Sequence, residues 1–457
     1  MYLQRGGVRK EETNLIFEVV TTAIMGGLAF QAHLSKNGLS NDSKKLNKIF
    51  ALTGLNVKDG KQTLTTQLVK KRNYDWGTEY RYRIPLGRSF EDYLSKQKSI
   101  EAGLNTRSVK LQLRDIKELK LDSEFISNIR SLYQRKLTEQ KEIELSYDGM
   151  LVIRVYNEPM PKLVDMFDGK GWSVPIGVMR EKNKYILHDF EKIPHFVLGG
   201  ATRYGKSNLI NGIITSLIKQ QQNHVKLHLV DLKGGVELCD YENIKQTISI
   251  AYEPEEACDL LENAYNEMRK MQQRLRKLGK KNVQEAGIKE RHFIFIDEVG
   301  ELNPEEAVDK KDIRKDGEIV HKSEKTIKEE CQKFMSQISR LGAGLGFRLV
   351  LATQYPTGDV IPRQCKQNSD AKLCFRVQSS TASRVVLDAV GAEELPQIKG
   401  RAIYQTADTR IIVQTPLITP DEIQSTIDPH IREVKPVEAI NKKAGTNPII
   451  IEKTGLS

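Results

Sequence analysis

Gly200, Ala201, Thr202, Arg203, Tyr204, Gly205, Lys206 and Ser207 fill every fixed position of the pattern G-x-x-x-x-G-K-S/T, and this octet constrains the fold more than any other stretch of the chain. A short apolar run, Phe196-Val197-Leu198, precedes it, and Leu209, Ile210, Ile213, Ile214, Leu217 and Ile218 follow at helical spacing. Strand, glycine turn and helix in that order predict a loop whose backbone N–H groups, backed by a helix N-terminus, cradle phosphates. Lys206 then reaches the β and γ phosphates, and Ser207 ligates Mg2+. A chance glycine turn before a helix is the plainer alternative; the flanking strand and helix weigh against it.

Phosphate hydrolysis needs more than a cradle. It needs a metal anchor, a group that orients water, and a cation to offset charge developing on the γ phosphate. The apolar run Phe293-Ile294-Phe295-Ile296 ends in Asp297-Glu298, which predicts two carboxylates at the carboxyl edge of a sheet, where open α/β folds bind ligands. Asp297 is read as holding Mg2+ through water and Glu298 as polarising the attacking water, although an acidic pair after a strand also caps helices. Another run ends in Ala352-Thr353-Gln354, and Gln354 is suited to sense the γ phosphate or place water, or else to tie loops together. Arg384, supplied by a neighbouring subunit, is the preferred cation, with Arg340 and Arg376 behind it. Surface salt bridging explains any one of these arginines equally well.

Further strands are predicted at 226–230, 372–377, 402–404 and 411–413. A long helix is predicted at 255–278, with Leu260, Leu261, Ala264, Met268, Met271 and Leu275 inward. Such alternation argues for a parallel sheet covered by helices on both faces. Residues 301–330, strongly charged with mixed sign, read as a surface insertion or exposed helix, and Thr419 before Pro420-Asp421-Glu422 caps a final helix. In front of this region, residues 1–40 read as a helical arm and 40–59 as a small helical unit. In 63–85, Tyr74, Trp76, Tyr80 and Tyr82 alternate with Lys71, Arg72, Arg81 and Arg83 around Gly77. That pattern fits a hairpin whose aromatics stack bases, and an ordinary amphipathic hairpin fits it equally. Strands at 109–113, 143–145 and 150–156, with a helix at 123–136, complete a small α+β module. The expected organisation is an arm over 1–60, a basic α+β module over 61–165, an α/β phosphate-loop domain over 166–430 and a polar tail over 431–457.

With 457 residues the chain has room for two or three domains. Its net charge of +11 is uneven: residues 1–200 hold 33 Lys+Arg against 24 Asp+Glu, and the remainder 38 against 36. An excess of this kind favours a polyanionic partner, either nucleic acid or an anionic membrane face, while any single lysine cluster is equally a solvated surface. The five cysteines form no C-x-x-C pair, which argues against a zinc site or disulfide framework and for reduced thiols in the cytoplasm. Residues 14–32 are apolar for much of their length but include Glu18, Thr21, Thr22 and Gln31. An amphipathic or buried helix is expected there, or else a weak interfacial anchor at the inner face of the cell membrane.

These residues together carry a resemblance. The stretch 339–354, from Ser339-Arg340-Leu341-Gly342 to Ala352-Thr353-Gln354, resembles the FtsK/SpoIIIE family of DNA-translocating motors. So do Cys374-Phe375-Arg376-Val377-Gln378-Ser379-Ser380, Ser383-Arg384-Val385-Val386-Leu387-Asp388 and Gly391-Ala392-Glu393-Glu394-Leu395. With the phosphate loop and Asp297-Glu298, the likeness covers roughly 174–427. It implies a RecA-like P-loop motor domain of α/β class that assembles as a hexamer and threads double-stranded DNA through a central channel using ATP. Arg203-Tyr204 stands where the family's chromosome pumps usually have Gly-Ser, and Tyr355 where they have Arg. Both variants look like the conjugative coupling proteins of Gram-positive mobile elements, and so, less specifically, do Tyr82-Arg83-Ile84-Pro85-Leu86-Gly87 and Asp148-Gly149-Met150-Leu151. Those relatives usually begin with clear transmembrane helices, which this sequence lacks, and no winged-helix extension follows the motor region, so sequence-directed loading is not expected. The resemblance implies a coupling protein that moves element DNA toward a transfer channel, with a relaxase and channel proteins as partners. A pump for plasmid or phage genome segregation or packaging, and a nucleotide-switched adaptor that recruits a relaxase, are the alternatives.

Overall fold

The computed structural model describes residues 22, 25–27, 42–105, 128, 141–181, 184–315, 318–354 and 360–432. The expected strand at 109–113, Tyr355 and the polar tail, apart from Ile431 and Arg432, lie outside these residues. So do the apolar segment 14–32, apart from Thr22, Met25, Gly26 and Gly27, and the helix at 123–136, apart from Asn128. Among the described residues no helix is long and apolar enough to cross a membrane.

The chain enters through a helix, α1 (Asp42–Leu52), followed by β1 (Val57–Asp59) and β2 (Gln62–Leu64), which pair with each other. That pairing shortens the expected hairpin at its start, so the hairpin proper is β3 (Gln67–Asn73) against β4 (Gly77–Arg83). With β5 (Ile143–Tyr147) and β6 (Leu151–Tyr156) it builds a four-stranded antiparallel sheet, ordered β3-β4-β6-β5. Side chains on alternate positions go to opposite faces of a strand. Here Tyr80, Tyr82, Leu151 and Ile153 therefore turn inward onto α1, α2 (Phe90–Ser95) and α3 (Gln97–Leu104). Phe50 from α1 meets Tyr82 and Tyr93 edge-on, with ring centroids 5.4 and 5.6 Å apart.

The rest of the chain is organised by a ten-stranded sheet. Its strands are β7 (Ser173–Val178), β8 (Tyr185–Asp189), β9 (Phe196–Gly199), β10 (Val225–Asp231), β11 (Thr247–Ala251) and β12 (Arg291–Asp297), followed by β15 (Phe347–Thr353), β16 (Ala371–Phe375), β17 (Arg401–Gln405) and β18 (Arg410–Gln414). The two strands omitted, β13 (Ile313–Lys315) and β14 (Glu318–His321), pair only with each other. In space the order is β11-β10-β12-β15-β9-β16-β17-β18-β7-β8. The six strands from β11 to β16 run parallel, but β17, β18, β7 and β8 are antiparallel to their neighbours, so the sheet is mixed rather than wholly parallel. Chain length decides this for β17 and β18, separated by only 406–409, and for β7 and β8, separated by 179–184, since a parallel neighbour needs a crossover of a dozen residues or more.

Both faces of the parallel half are covered. Ile294 and Ile296 point to one face, where α5 (Pro254–Leu278) and α6 (Glu324–Leu345) pack; Phe293 and Phe295 point to the other, against α4 (Lys206–Gln221). The buried side of α5 is as its spacing predicts, except that Met271 is only partly buried. The charged stretch 301–330 divides. Its first part makes two single-turn 3-10 helices and the exposed β13–β14 hairpin, while Glu324 onward opens α6, burying Ile327 and Cys331. Ser323 caps that helix by accepting from Thr326 N–H at 3.3 Å. The charged start, Glu324 and Lys325, conceals the apolar stripe that begins at Ile327.

Candidate active site

Register brings the strand ends level. Asp231 pairs with Asp297, Asp297 with Ala352, and Thr353 with Gly199, so β10, β12, β15 and β9 discharge their next residues at one edge of the sheet. The predicted phosphate loop leaves β9 there and turns into α4 through Gly205, whose φ of +116° is one that L side chains rarely adopt. Two backbone bonds pin the loop: Ala201 N–H donates to the Arg376 carbonyl (3.0 Å) and Gly400 N–H to the Tyr204 carbonyl (2.9 Å). The Tyr204 ring packs against the apolar core, and Arg203 is exposed with φ +70°.

Lys206 is buried, and its ammonium donates to Oδ1 of Asp297, which is also buried. The second carboxylate oxygen, Oδ2, is buried with no hydrogen-bond partner among the described residues. An unpartnered buried carboxylate oxygen is costly unless something cationic or donating meets it. With Ser207 in the first turn of α4, this all-oxygen donor set fits a hard cation such as Mg2+.

Glu298 follows directly, only 2% exposed and with φ +73°, a left-handed conformation that is strained for a residue bearing a side chain. Its Oε1 accepts from the Thr353 hydroxyl at 2.7 Å and from Gln354 N–H at 3.2 Å. Oε2 accepts from the same N–H at 2.9 Å and pairs with the Lys233 ammonium at 3.1 Å. Gln354 faces the phosphate loop, its Oε1 accepting from the Thr202 hydroxyl at 3.0 Å. The structure thus places two bonded groups at this edge, Lys206 with Asp297 and Thr202 with Gln354 and Glu298, joined by the consecutive residues Asp297 and Glu298.

The arginines behave differently from one another. Arg384, on the helix α8 (Ser380–Leu387) that follows α7 (Arg363–Asn368), is exposed, as is Arg340 on α6. Arg376 is committed within its own chain: its guanidinium donates to the carbonyls of Glu393, at 3.1 Å, and Leu395. In the front sheet the aromatic and basic residues of the hairpin form an amphipathic pair of strands. Tyr80 and Tyr82 are fully buried, which removes them as base-stacking platforms. Tyr74 stacks on Trp76, with centroids 4.8 Å apart, and Trp76 packs at 5.0 Å against Tyr156. Arg81 is ion-paired to Glu79 (3.1 Å) and Asp148 (3.0 Å).

Lys233 and Thr353 escaped the sequence reading. Thr353 sits beside Gln354, and the signal for Lys233 was present in Asp231-Leu232-Lys233, which closes β10 at the same edge as Asp297. Nothing local says, however, that two strand ends separated by 66 positions face each other.

Residues 163–354 match the profile of the FtsK/SpoIIIE family. The DNA translocase SpoIIIE of Bacillus subtilis is 29% identical over 282 residues, 60% of this chain and 34% of that protein. The DNA translocase FtsK of Tropheryma whipplei is 28% identical over 293 residues, 60% of this chain and 38% of that one. The chain therefore spans little more than a third of the length of these curated relatives. Among solved structures, the pCW3 conjugation coupling protein TcpA, in its monomer form with ATPgS, shares the fold with a TM-score of 0.54 at 21% identity, covering 85% of this chain and 99% of that one.

Proposed function

We propose, for a chain that carries an FtsK/SpoIIIE family domain over residues 163–354, that it is an ATP-driven motor which translocates double-stranded DNA. In this reading residues 166–430 form the motor and 61–165 a module that docks on it. The observation that carries the reading is the pair of bonded groups at the sheet edge, through which the phosphate-loop residues Lys206 and Thr202 meet Asp297 and, by way of Gln354, Glu298. Lys206 exchanges the Asp297 carboxylate for the β and γ phosphates, which frees Asp297 to hold Mg2+ together with Ser207. Mg2+ held there would supply positive charge against the phosphate oxygens. Glu298 orients the attacking water and accepts its proton, and Gln354 senses the γ phosphate.

Arg384, exposed on α8, is the cation that completes a neighbour's site, so the active form is an oligomer, a hexamer by analogy with the family. DNA is gripped through its phosphates, since a motor must accept every sequence, and binding weakens steeply with salt. The cellular role that fits Arg203-Tyr204, Tyr355 and the fold shared with a conjugation coupling protein is coupling of mobile-element DNA to a transfer channel, with a relaxase delivering the DNA.

Glu298→Gln tests the chemistry. It should retain ATP binding and lose DNA-stimulated hydrolysis by roughly a hundredfold or more, the scale of a general base. Normal turnover in that variant removes Glu298 from the role.

A further inference from the structure

Three donors converge on the Glu298 carboxylate: the Thr353 hydroxyl on Oε1, the Lys233 ammonium on Oε2, and the Gln354 N–H, which is shared between both oxygens. A carboxylate offers about four acceptor positions, so a water molecule has to compete with these donors for the group that would polarise it. The group sits in a fitted site: a Cβ placed on Gly300 would lie 3.2 Å from Oε1. Of the donors, the Thr353 hydroxyl and Gln354 N–H belong to the end of a central strand, while Lys233 arrives from a separate loop. That loop is shaped by Asp231, whose carboxylate accepts the N–H groups of Glu237 (2.8 Å), Leu238 (3.0 Å) and Lys233 (3.3 Å). Lys233 precedes Gly234 and Gly235, both left-handed with φ +74° and +69°, and its side chain is 26% exposed. It is the part of the cage best able to withdraw.

We propose that Lys233 is a positioning residue that stores Glu298 in a resting site, and that productive assembly on DNA withdraws it, so that Lys233 sets the ratio of DNA-stimulated to basal ATP turnover. The proposal rests on the reading of Glu298 as the group that activates water. A bonded path makes the store responsive to nucleotide: Thr202 in the phosphate loop holds the Gln354 side chain, and the Gln354 N–H holds Glu298. Lys233 does not itself touch the reacting phosphate. Its contribution is the population of the stored carboxylate, which a ligand shifts only by binding the released state better.

The test compares Lys233→Met, Lys233→Gln and Lys233→Arg in the full chain, measuring ATPase rates with and without duplex DNA alongside thermal midpoints. Lys233→Met and Lys233→Gln should raise the DNA-independent rate roughly fivefold, the scale of one partly exposed ion pair. The stimulation ratio should fall by the same factor, with little change in KM for ATP. Lys233→Arg keeps the charge and should restore the wild-type ratio, which a merely structural role does not require. An unchanged ratio in both uncharged variants overturns the proposal. So does loss of turnover with ATP binding intact, because Lys233 would then act in the chemistry. If Lys233→Met lowers the midpoint sharply, Lys233→Gln, which retains a donor, decides. Glu298→Gln separates the two readings: an active Glu298→Gln removes the premise, whereas an inactive one with unaltered Lys233 variants removes only the store.

Discussion

At the scale of the residue, the site is a set of charges waiting to be exchanged. The Lys206 ammonium occupies one oxygen of Asp297 and leaves the other buried without a partner among the described residues, an arrangement that suits a metal ligand with its counter-charge in reserve. Glu298 is held in the same way by Lys233. Nucleotide with its metal would relieve the first pair, and the released lysine would move onto phosphate. If Asp297 is the metal holder, Asp297→Asn should remove most of the gain in ATP affinity that Mg2+ confers, by roughly tenfold or more. Calorimetric titration with and without Mg2+ measures this, and an undiminished Mg2+ effect contradicts the assignment.

Among the elements, the carboxyl ends of four parallel strands do the positioning, and the helices supply depth and direction. Three arginines share a motif-rich stretch, yet their elements assign them different work. Arg376 follows β16 and is spent on the carbonyls of Glu393 and Leu395, so Arg376→Ala should leave two acceptors short of a partner and cost roughly 1–3 kcal/mol, read as a lower thermal midpoint. Arg384 faces outward from α8, and Arg384→Ala should leave the midpoint unchanged. Mixed with wild-type protein, the Arg384 variant should depress ATPase more than its share of subunits, because each substituted subunit disables a neighbour. A strictly proportional loss argues for action within one chain.

For the whole molecule, the edge of the sheet opposite the site is closed by a buried cluster. Glu191, between β8 and β9, accepts from Arg291 at 2.7 Å and from Arg348 at 2.9 Å, and both guanidinium groups are buried. Burial pushes the Glu191 carboxyl upward, but the Arg291 hydrogen bonds and the charges of Arg348 and Arg291 outweigh it and bring it down to about 2. A carboxyl depressed in the folded state stabilises fully above its unfolded value, near 4.3, and the contribution is lost as pH falls toward 2. His188, His195 and His228 act in the same direction from higher pH: burial holds each at about 3, so their neutral forms cost stability once pH drops below roughly 6.5. The thermal midpoint should therefore decline progressively from about pH 6.5 downward. Glu191→Gln should lower it at neutral pH by the equivalent of roughly 3–5 kcal/mol, since two buried cations lose their counter-charge. A flat profile between pH 7 and pH 4 on the order of experimental error would contradict this balance.

How much of this was written in the chain depends on how local each signal is. The phosphate loop, the strand ending in Asp297-Glu298, the long helix 254–278 and the cap at Thr419 are set by neighbours in sequence: glycine at a turn, apolar residues at a fixed period, a hydroxyl before a first turn. They are readable for that reason, and with them the α/β class and the placement of Lys206, Asp297, Glu298 and Gln354 at one edge of the sheet. The antiparallel half of the sheet, the burial of Tyr80 and Tyr82, and the engagement of Arg376 depend on which segments lie side by side. So does the meeting of Lys233 with Glu298, where two strands in register bring together residues 65 positions apart. Pattern along a chain specifies what each segment can become. Only packing, which trades the burial of one face against the alternatives open to the whole molecule, decides which segments meet and which charge ends beside which.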